Sequence, residues 1–355
     1  MTARITTTAR SFLLSASLLA LCACSRGGDV TVPATGKDTV PAVAASDAGI
    51  PAFQAAADVG ACVNMANHLE APNEGDWGRP ISETDFADIA AAGFQTVRLP
   101  VRFSAHALKV PPYTIDPAFM ARVTHLVDLA QAAKLRLILN VHNYDALFEK
   151  PAANSARFTA LWQQIAERFS RAPDTVWFEL INEPHEALTN KNLWSVLTPA
   201  LAAVRATNPD RTVVVGGEHW SSVESLATLT LPDDPHLVAT FHYYEPFNFT
   251  HQGASWIHPT PPMGRRFGGP ADLKRLDQNV AAVRAFMART GKPVFMGEFG
   301  AYESIPQEQR ALYYRTVHDR FKAAGVEGCV WGYTNSFPIR VGSDWLKDIL
   351  AAIGL

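Results

Sequence analysis

Polar and aromatic side chains stand at the ends of several short apolar runs of this sequence. The runs end in Arg98, in His142, in Glu183, in His242 followed by Tyr244, in Glu298 and in Trp331. A charged group is seldom placed beside a buried apolar segment unless it is paired or used. Two of these groups are carboxyls, and such a pair suits glycosidic-bond hydrolysis, because one can protonate the leaving oxygen while the other attacks the sugar or activates water.

The elements that must bring these residues together alternate between strand-like and helix-like patterns. Short apolar runs predict eight strands, at 59–64, 94–100, 136–142, 175–182, 212–217, 237–243, 293–299 and 328–333. Amphipathic stretches lie between them, and Asp116-Pro117 is typical of a helix N-cap followed by a first-turn proline. This alternation predicts a single-domain (β/α)8 TIM barrel, which collects functional residues at the carboxyl ends of its strands. A doubly wound open sheet is the alternative, but no GxGxxG motif follows an early strand.

The composition fits one large folded domain. The 355 residues are 48% hydrophobic and 18% charged, with a formal net charge of -3. A disordered chain would have fewer apolar residues and more net charge, and a nucleic-acid-binding protein would have a basic surplus. Neither class fits. The sequence has no CxxC or HExxH spacing, so no metal or cofactor is predicted. A monomer is also expected.

Two strand ends carry motifs that resemble glycoside hydrolase family 5, the large cellulase family. The motifs are Asn182-Glu183-Pro184 and Gly297-Glu298-Phe299-Gly300, joined in matching order by Arg98, His142, His242-x-Tyr244 and Trp331. The resemblance covers about residues 58–350. It implies that Glu183 is the acid/base and Glu298 the nucleophile, with net retention of configuration. Residues 64–72 also resemble the opening segment of bacterial endoglucanases, although Ala66 stands where glycine is common.

Physical roles follow for the residues around the two glutamates. Arg98 and Tyr244 should keep Glu298 ionised by lowering its pKa, and the charge of Glu298 should raise the pKa of Glu183. Further substrate-binding residues are expected at Asn182, which would bond the sugar 2-hydroxyl, and at His142, His242, Trp331, Trp220 and Trp77. Glu179 is interpreted instead as the structural partner of a buried donor.

The resemblance implies a retaining endo-β-1,4-glucanase that acts on cellulose-type or mixed-linkage β-glucan. β-Mannanase, xyloglucanase and exo-β-glucosidase activities use the same chemistry and stay open as alternatives. A different class is a non-catalytic glycan-binding lipoprotein built on the same barrel. Loss of a glutamate or of the tyrosine would be its expected sign, and Glu183, Glu298 and Tyr244 are all present.

The amino-terminal residues have the pattern of an export signal. Arg4 and Arg10 precede the apolar run 12–23, which is too short to span a bilayer. The run ends Leu-Cys-Ala-Cys and resembles a bacterial lipobox, which predicts cleavage after residue 23 and lipidation of Cys24. Residues 24–55 then read as a flexible tether, followed by a catalytic domain at 56–355. The predicted location is the bacterial cell envelope, lipid-anchored, with plain secretion as the alternative.

Two cysteines remain in the predicted domain. Cys62 and Cys329 each lie inside a short apolar, strand-like segment. Buried free thiols are the commoner outcome in such segments, so the sequence favours two free thiols over one disulfide.

Overall fold

The computed structural model describes residues 59–355. Within them, eight parallel strands close into a barrel in sequence order, from β1 to β8. The strands are β1 (Cys62–Asn64), β2 (Thr96–Val101), β3 (Arg136–Val141), β4 (Val176–Glu179), β5 (Val213–Gly216), β6 (Leu237–Tyr243), β7 (Val294–Phe299) and β8 (Gly328–Val330). The predicted (β/α)8 barrel is therefore confirmed, and most strands are shorter than the apolar runs that predicted them.

Helices follow the strands and cover the outside of the barrel. The helices are α1 (Asp85–Ala91), α2 (Pro117–Ala132), α3 (Asp145–Glu149), α4 (Pro151–Arg168), α5 (Leu193–Thr207), the single left-handed turn α6 (Glu218–Ser221), α7 (Phe247–Thr250), α8 (Pro270–Thr290), α9 (Gln307–Lys322) and α10 (Lys347–Ala352). A small hairpin of β9 (Arg340–Val341) and β10 (Asp344–Trp345) follows β8. The predicted cap of α2 is present, since the carboxylate of Asp116 accepts hydrogen bonds from the backbone N–H groups of Ala118 and Phe119.

The interior of the barrel is apolar at its amino-terminal end. One buried cluster, called here the floor cluster, consists of Val59, Cys62, Ile138, Trp177, Val214, Val238, Phe295 and Cys329. The strand residues of this cluster alternate with outward-facing neighbours, which pack against the helices in the larger core cluster. On several strands the next inward-facing position, two residues further along, carries a polar side chain. Asn140 follows Ile138 in this way, and Glu179 follows Trp177.

An irregularity in β7 decides where Glu298 points. Phe295 belongs to the floor cluster, so strict alternation would turn Gly297 inward and Glu298 outward. The pairing of β6 with β7 shifts here: Phe241 pairs with Met296, but His242 pairs with Glu298. Gly297 is the extra residue of this bulge, and the bulge returns Glu298 to the interior of the barrel. The alternation in the sequence alone did not predict this orientation.

The two cysteines form a disulfide, and the prediction of free thiols was wrong. Cys62 and Cys329 are direct partners on the paired strands β1 and β8, with their Cα atoms 4.3 Å apart. The sequence pattern identified both segments as strands but could not place the first strand beside the last. Closure of the barrel puts the two thiols within bonding distance.

The residues predicted as signal peptide (1–23), lipidated Cys24 and tether (24–55) lie outside the described part of the chain, as does the start of the predicted catalytic domain at residue 56. Over residues 59–355, none of the helices has both the length and the apolar character that a bilayer crossing requires.

Candidate active site

Arg98 on β2 is the centre of a buried hydrogen-bond network. Its guanidinium donates to both oxygens of Glu179, at 2.6 and 2.8 Å, and to Glu298 Oε1 at 2.7 Å. Two further bonds reach Asn64 Oδ1 at 2.9 Å and Asn182 Oδ1 at 2.7 Å. Every nitrogen of the guanidinium is therefore engaged with an acceptor. Burial lowers the pKa of Arg98, but the carboxylates of Glu179 and Glu298 outweigh this and raise it, so the arginine is charged.

Glu298 at the end of β7 is held from both sides. Its Oε1 accepts from Arg98, and its Oε2 accepts a hydrogen bond from the hydroxyl of Tyr244 at 2.9 Å. The side chain is almost fully buried, at 5% exposure. Burial raises the pKa of Glu298 above its usual value, while the charge of Arg98 and the hydrogen bond from Tyr244 act against that rise. The expected lowering of this pKa was wrong, because the sequence identified the partners but not the extent of burial.

Glu183 follows β4 in a left-handed backbone conformation, with φ of 47°. Its Oε1 lies 2.7 Å from Nδ1 of His242. Burial raises the pKa of Glu183 to about 7, and the positive charge of Arg98 limits the rise. The direction matches the prediction, but the main cause is desolvation rather than the charge of Glu298. Burial also lowers the pKa of His242 to about 4, so this imidazole is neutral near pH 7.

The two carboxyl groups are close to each other. One carboxylate oxygen of each glutamate and one ring nitrogen of His242 all lie within 4.8 Å of one another. An inverting pair needs about 6.5–9.5 Å to admit water, whereas a retaining pair is about 5–5.5 Å apart. These three donors are also the described residues that could hold a metal ion, but the Arg98 guanidinium at 2.7 Å from Glu298 disfavours a cation there.

Three more predicted residues surround the carboxyl pair. Asn182 has its Oδ1 committed to Arg98, which leaves its amide nitrogen as the group able to donate to a sugar hydroxyl. The Nδ1 of His142 lies 2.7 Å from Asn140 Oδ1. The ring of His142 is nearly parallel to that of Trp331, with centroids 5.8 Å apart. Burial lowers the pKa of His142 well below its usual value, so it is neutral.

The other two tryptophans predicted to bind substrate, Trp220 and Trp77, differ in position. Trp220 follows β5 in a left-handed turn in which His219, Trp220 and Ser221 all have φ near 55°. Its backbone N–H donates to the carbonyl of Pro184, the residue after Glu183, and its ring stacks on His185 at 5.0 Å. Such strained residues cluster at functional sites. Trp77 is exposed in the loop after β1 and makes no ring contact or hydrogen bond with the site among residues 59–355.

Several residues of the site were not assigned a role from the sequence. Asn64 bonds Arg98. Glu70 is buried at 1% exposure, and its carboxyl accepts the backbone N–H groups of Asn67 and His68. Gly297 leaves room for its neighbours, since a Cβ there would lie 2.6 Å from Thr240 Oγ1 and 3.0 Å from His242 Nε2. No local motif signals these roles, because each depends on contacts between distant strands.

Comparisons with known proteins agree with this geometry. Residues 57–336 match the family model described as cellulase, glycosyl hydrolase family 5. Endoglucanase H of Acetivibrio thermocellus is 34% identical over 287 residues, which cover 81% of this chain but 31% of that protein. The chain thus spans about a third of the length of this relative.

Solved structures resemble the chain over most of both lengths. A hyperthermophilic endo-β-1,4-glucanase in complex with substrate is 35% identical with a TM-score of 0.82, covering 84% of this chain and 97% of that one. Cel5A of Thermotoga maritima in complex with mannotriose is 35% identical with a TM-score of 0.81, covering 83% and 97%.

Proposed function

The chain belongs to glycosyl hydrolase family 5, the cellulase family, and from that premise we propose that it hydrolyses β-1,4-glucan internally with retention of configuration. The observation that carries the proposal is the pair of carboxyl groups, Glu298 buried and Glu183 partly exposed, with oxygens within 4.8 Å of each other. One of them has a pKa raised to about 7. The other is bonded to a charged arginine and a tyrosine hydroxyl.

In the first step, Glu298 acts as the nucleophile. Its carboxylate attacks the anomeric carbon while the bond from that carbon to the leaving oxygen breaks. Glu183 is the general acid and gives its proton to the leaving oxygen. Its pKa of about 7 keeps a large fraction of the carboxyl protonated at neutral pH. The product is a glycosyl ester on Glu298.

In the second step, Glu183 acts as the general base. It takes a proton from water, and the oxygen of that water attacks the anomeric carbon as the ester bond to Glu298 breaks. The departing carboxylate regains its bonds from Arg98 and Tyr244. Burial and the charge of Glu298 raise the pKa of Tyr244 well above its usual value, so its hydroxyl remains a donor throughout.

His242 and Asn182 support both steps. His242 Nδ1 lies 2.7 Å from Glu183 and 3.5 Å from Glu298. It therefore holds the carboxyl of Glu183 in place beside that of Glu298. Asn182 donates to the 2-hydroxyl of the reacting sugar, a contact that strengthens as the ring becomes planar in the transition state. Trp331 offers an aromatic face to the same sugar.

Product analysis tests the proposal. The mature chain should release a ladder of cello-oligosaccharides from barley β-glucan and carboxymethyl cellulose, with the β-anomer formed first. A slower release from xyloglucan is expected. Release of glucose alone, or formation of the α-anomer first, would contradict internal cleavage or retention respectively.

β-Mannan is the second candidate substrate. The related Cel5A structure holds mannotriose, so a site of this shape accepts a sugar with an axial 2-hydroxyl. Comparing kcat/KM for cellotetraose and mannotetraose decides between the two. The glucanase proposal expects the glucan substrate to be preferred, and a clear preference for mannotetraose would replace it.

We also propose export and lipid anchoring, on the sequence pattern alone. Residues 1–23 are the signal, Cys24 is the lipidated residue, and 24–55 form the tether that precedes the catalytic domain. Cys24→Ala should move the enzyme from the membrane fraction to the soluble fraction. Cys22→Ala is the matched control and should stay in the membrane fraction, and membrane retention of Cys24→Ala would refute the anchor.

A further inference from the structure

A cavity of about 600 Å³ opens beside the general acid. Its walls include Glu183, Trp220, Tyr244, Glu245, Phe247 and His251. Glu298, Asn182 and Trp331, which surround the reacting sugar, are not part of its lining. A space that touches the acid but not the nucleophile lies on the side of the leaving group, because the acid donates to the leaving oxygen.

His251 presents a hydrogen-bond acceptor at this cavity. The hydroxyl of Thr250 donates to the backbone carbonyl of Tyr244 at 2.7 Å, so its oxygen accepts from Nδ1 of His251, 3.0 Å away. This bond places the ring proton on Nδ1 and leaves Nε2 with a lone pair. His251 is 8% exposed, and its Nε2 makes no hydrogen bond to residues 59–355. Burial lowers its pKa to about 4, which keeps the ring neutral.

Glu245 presents a second acceptor. It is half-buried in the cavity wall and has no hydrogen bond or ion pair with any of the residues that the structure describes. The other outer carboxylate, Glu224, is paired with Arg275 at 2.7 Å. The wall therefore offers a negative charge and a lone pair, with no lysine or arginine among its described lining residues to pair with them.

The aromatic side chains set the shape of the ligand. Trp220 is held by its stacking on His185 at 5.0 Å, and Phe247 stacks on His251 at 4.1 Å. Flat aromatic faces bind the C–H face of a pyranose and also attract a cation. A ligand that combines a pyranose ring with a positively charged donor can contact these aromatic faces and both acceptors.

We propose that the leaving-group side of the cleft binds a protonated amino sugar, so that the enzyme cleaves β-1,4 bonds whose leaving residue is a hexosamine. The proposal rests on the hydrolytic function stated above and adds a substrate class to it. In the reaction, the anomeric carbon of the glucosyl unit bonds to Glu298, its bond to the O4 of the hexosamine breaks, and the proton of Glu183 goes to that O4. The ammonium group stays intact and pairs with Glu245.

Two trisaccharides test this proposal with the mature enzyme. One is cellotriose, and the other is the same molecule with glucosamine in place of the reducing-end glucose. Release of the terminal residue is followed for both at about pH 6. We expect kcat/KM to be about fivefold higher for the glucosamine compound, the size expected for a partly exposed ion pair. Glu245→Gln should bring the ratio of the two kcat/KM values close to one.

Glu303→Gln is the matched control, because Glu303 is exposed and lies outside the cavity lining. It should keep the wild-type ratio. The N-acetylated trisaccharide, which carries no charge, should lose the advantage. A ratio of one in the wild type, or an unchanged ratio in Glu245→Gln, overturns the amino-sugar proposal. Failure to cleave cellotriose and longer cello-oligosaccharides would instead count against the glucanase function.

Discussion

The floor of the barrel interior and the Arg98 network at its mouth are both buried but held in different ways. In the floor cluster, side chains such as Ile138, Val214 and Phe295 need only to fill space. At the mouth, Arg98 and Glu179 are 0% and 1% exposed, and each depends on its charged partner. Packing thus fixes one end, and hydrogen bonds and ion pairs fix the other. Changes at the floor should therefore affect stability, and changes at the mouth should affect catalysis first.

Glu298→Gln should show the sharpest separation of the two effects. The amide cannot attack the anomeric carbon, so kcat should fall by at least about 10⁴-fold. The amide still fits between Arg98 and Tyr244, so the unfolding temperature should stay close to that of the wild type. Activity assays and thermal unfolding of the same preparations provide the check. A variant with near-wild-type activity would contradict the nucleophile assignment.

Arg98→Met should lower both stability and activity, because this residue serves both structure and chemistry. It leaves the buried carboxylate of Glu179 without its cation, which should lower the free energy of unfolding by about 3–5 kcal/mol. It also removes a bond to Glu298, so kcat/KM should fall strongly as well. Denaturant unfolding measures the first effect. Arg98→Lys keeps the charge and should recover part of the stability, and equal stability of all three proteins would refute the network.

The double variant Cys62→Ala/Cys329→Ala tests the floor of the barrel interior. Loss of the link between β1 and β8 should lower the free energy of unfolding by about 2–5 kcal/mol. Under conditions where the barrel is folded, kcat should be unchanged. A large loss of kcat in a fully folded variant would show that the floor and the mouth are coupled.

Glu70 makes the stability of the mouth depend on pH. Burial raises its pKa from 4.5 to about 7. A carboxyl whose pKa is higher in the folded than in the unfolded state adds stability that is complete below about pH 4.5 and is lost as pH rises through about 7, here up to about 3 kcal/mol. In Glu70→Gln, the decline of unfolding free energy over this range should be smaller by about that amount. If the free energy of unfolding falls as much in Glu70→Gln as in the wild type, another group causes the pH dependence.

Glu183 should set the alkaline limit of catalysis. Burial raises the pKa of Glu183 to about 7, so kcat/KM should fall about tenfold per pH unit well above that value, as the general acid loses its proton. The variant Glu183→Gln should be slow and should lack this descending limb. Substrates with good leaving groups, which need no protonation, should show a weaker fall.

The periodicity of the sequence predicted the fold because each strand and helix leaves a local pattern. The alternation along β6 placed His242 and Tyr244 on one face, and both contact the glutamates. The same rule fails at Glu298, where the bulge at Gly297 adds a residue to β7. A bulge depends on pairing with the neighbouring strand, and a single segment of sequence does not show that pairing.

The other wrong predictions also concern properties that depend on contacts between distant parts of the chain. The disulfide requires the first strand to lie beside the last, a relation across 267 residues that no local window contains. The raised pKa of Glu298 depends on how completely the site excludes water, which follows from the assembled loops. The carboxyl pair itself was predictable because both glutamates end apolar runs within short motifs.

The link between Cys62 and Cys329 turns the chain between them into a covalent ring that includes most of the barrel. A single cut by a protease in any loop of this ring opens it without releasing a fragment. The nicked halves stay joined at the floor and keep their high local concentration. The loops at the mouth can therefore be long and accessible to polysaccharide without making each cleavage event a loss of the enzyme.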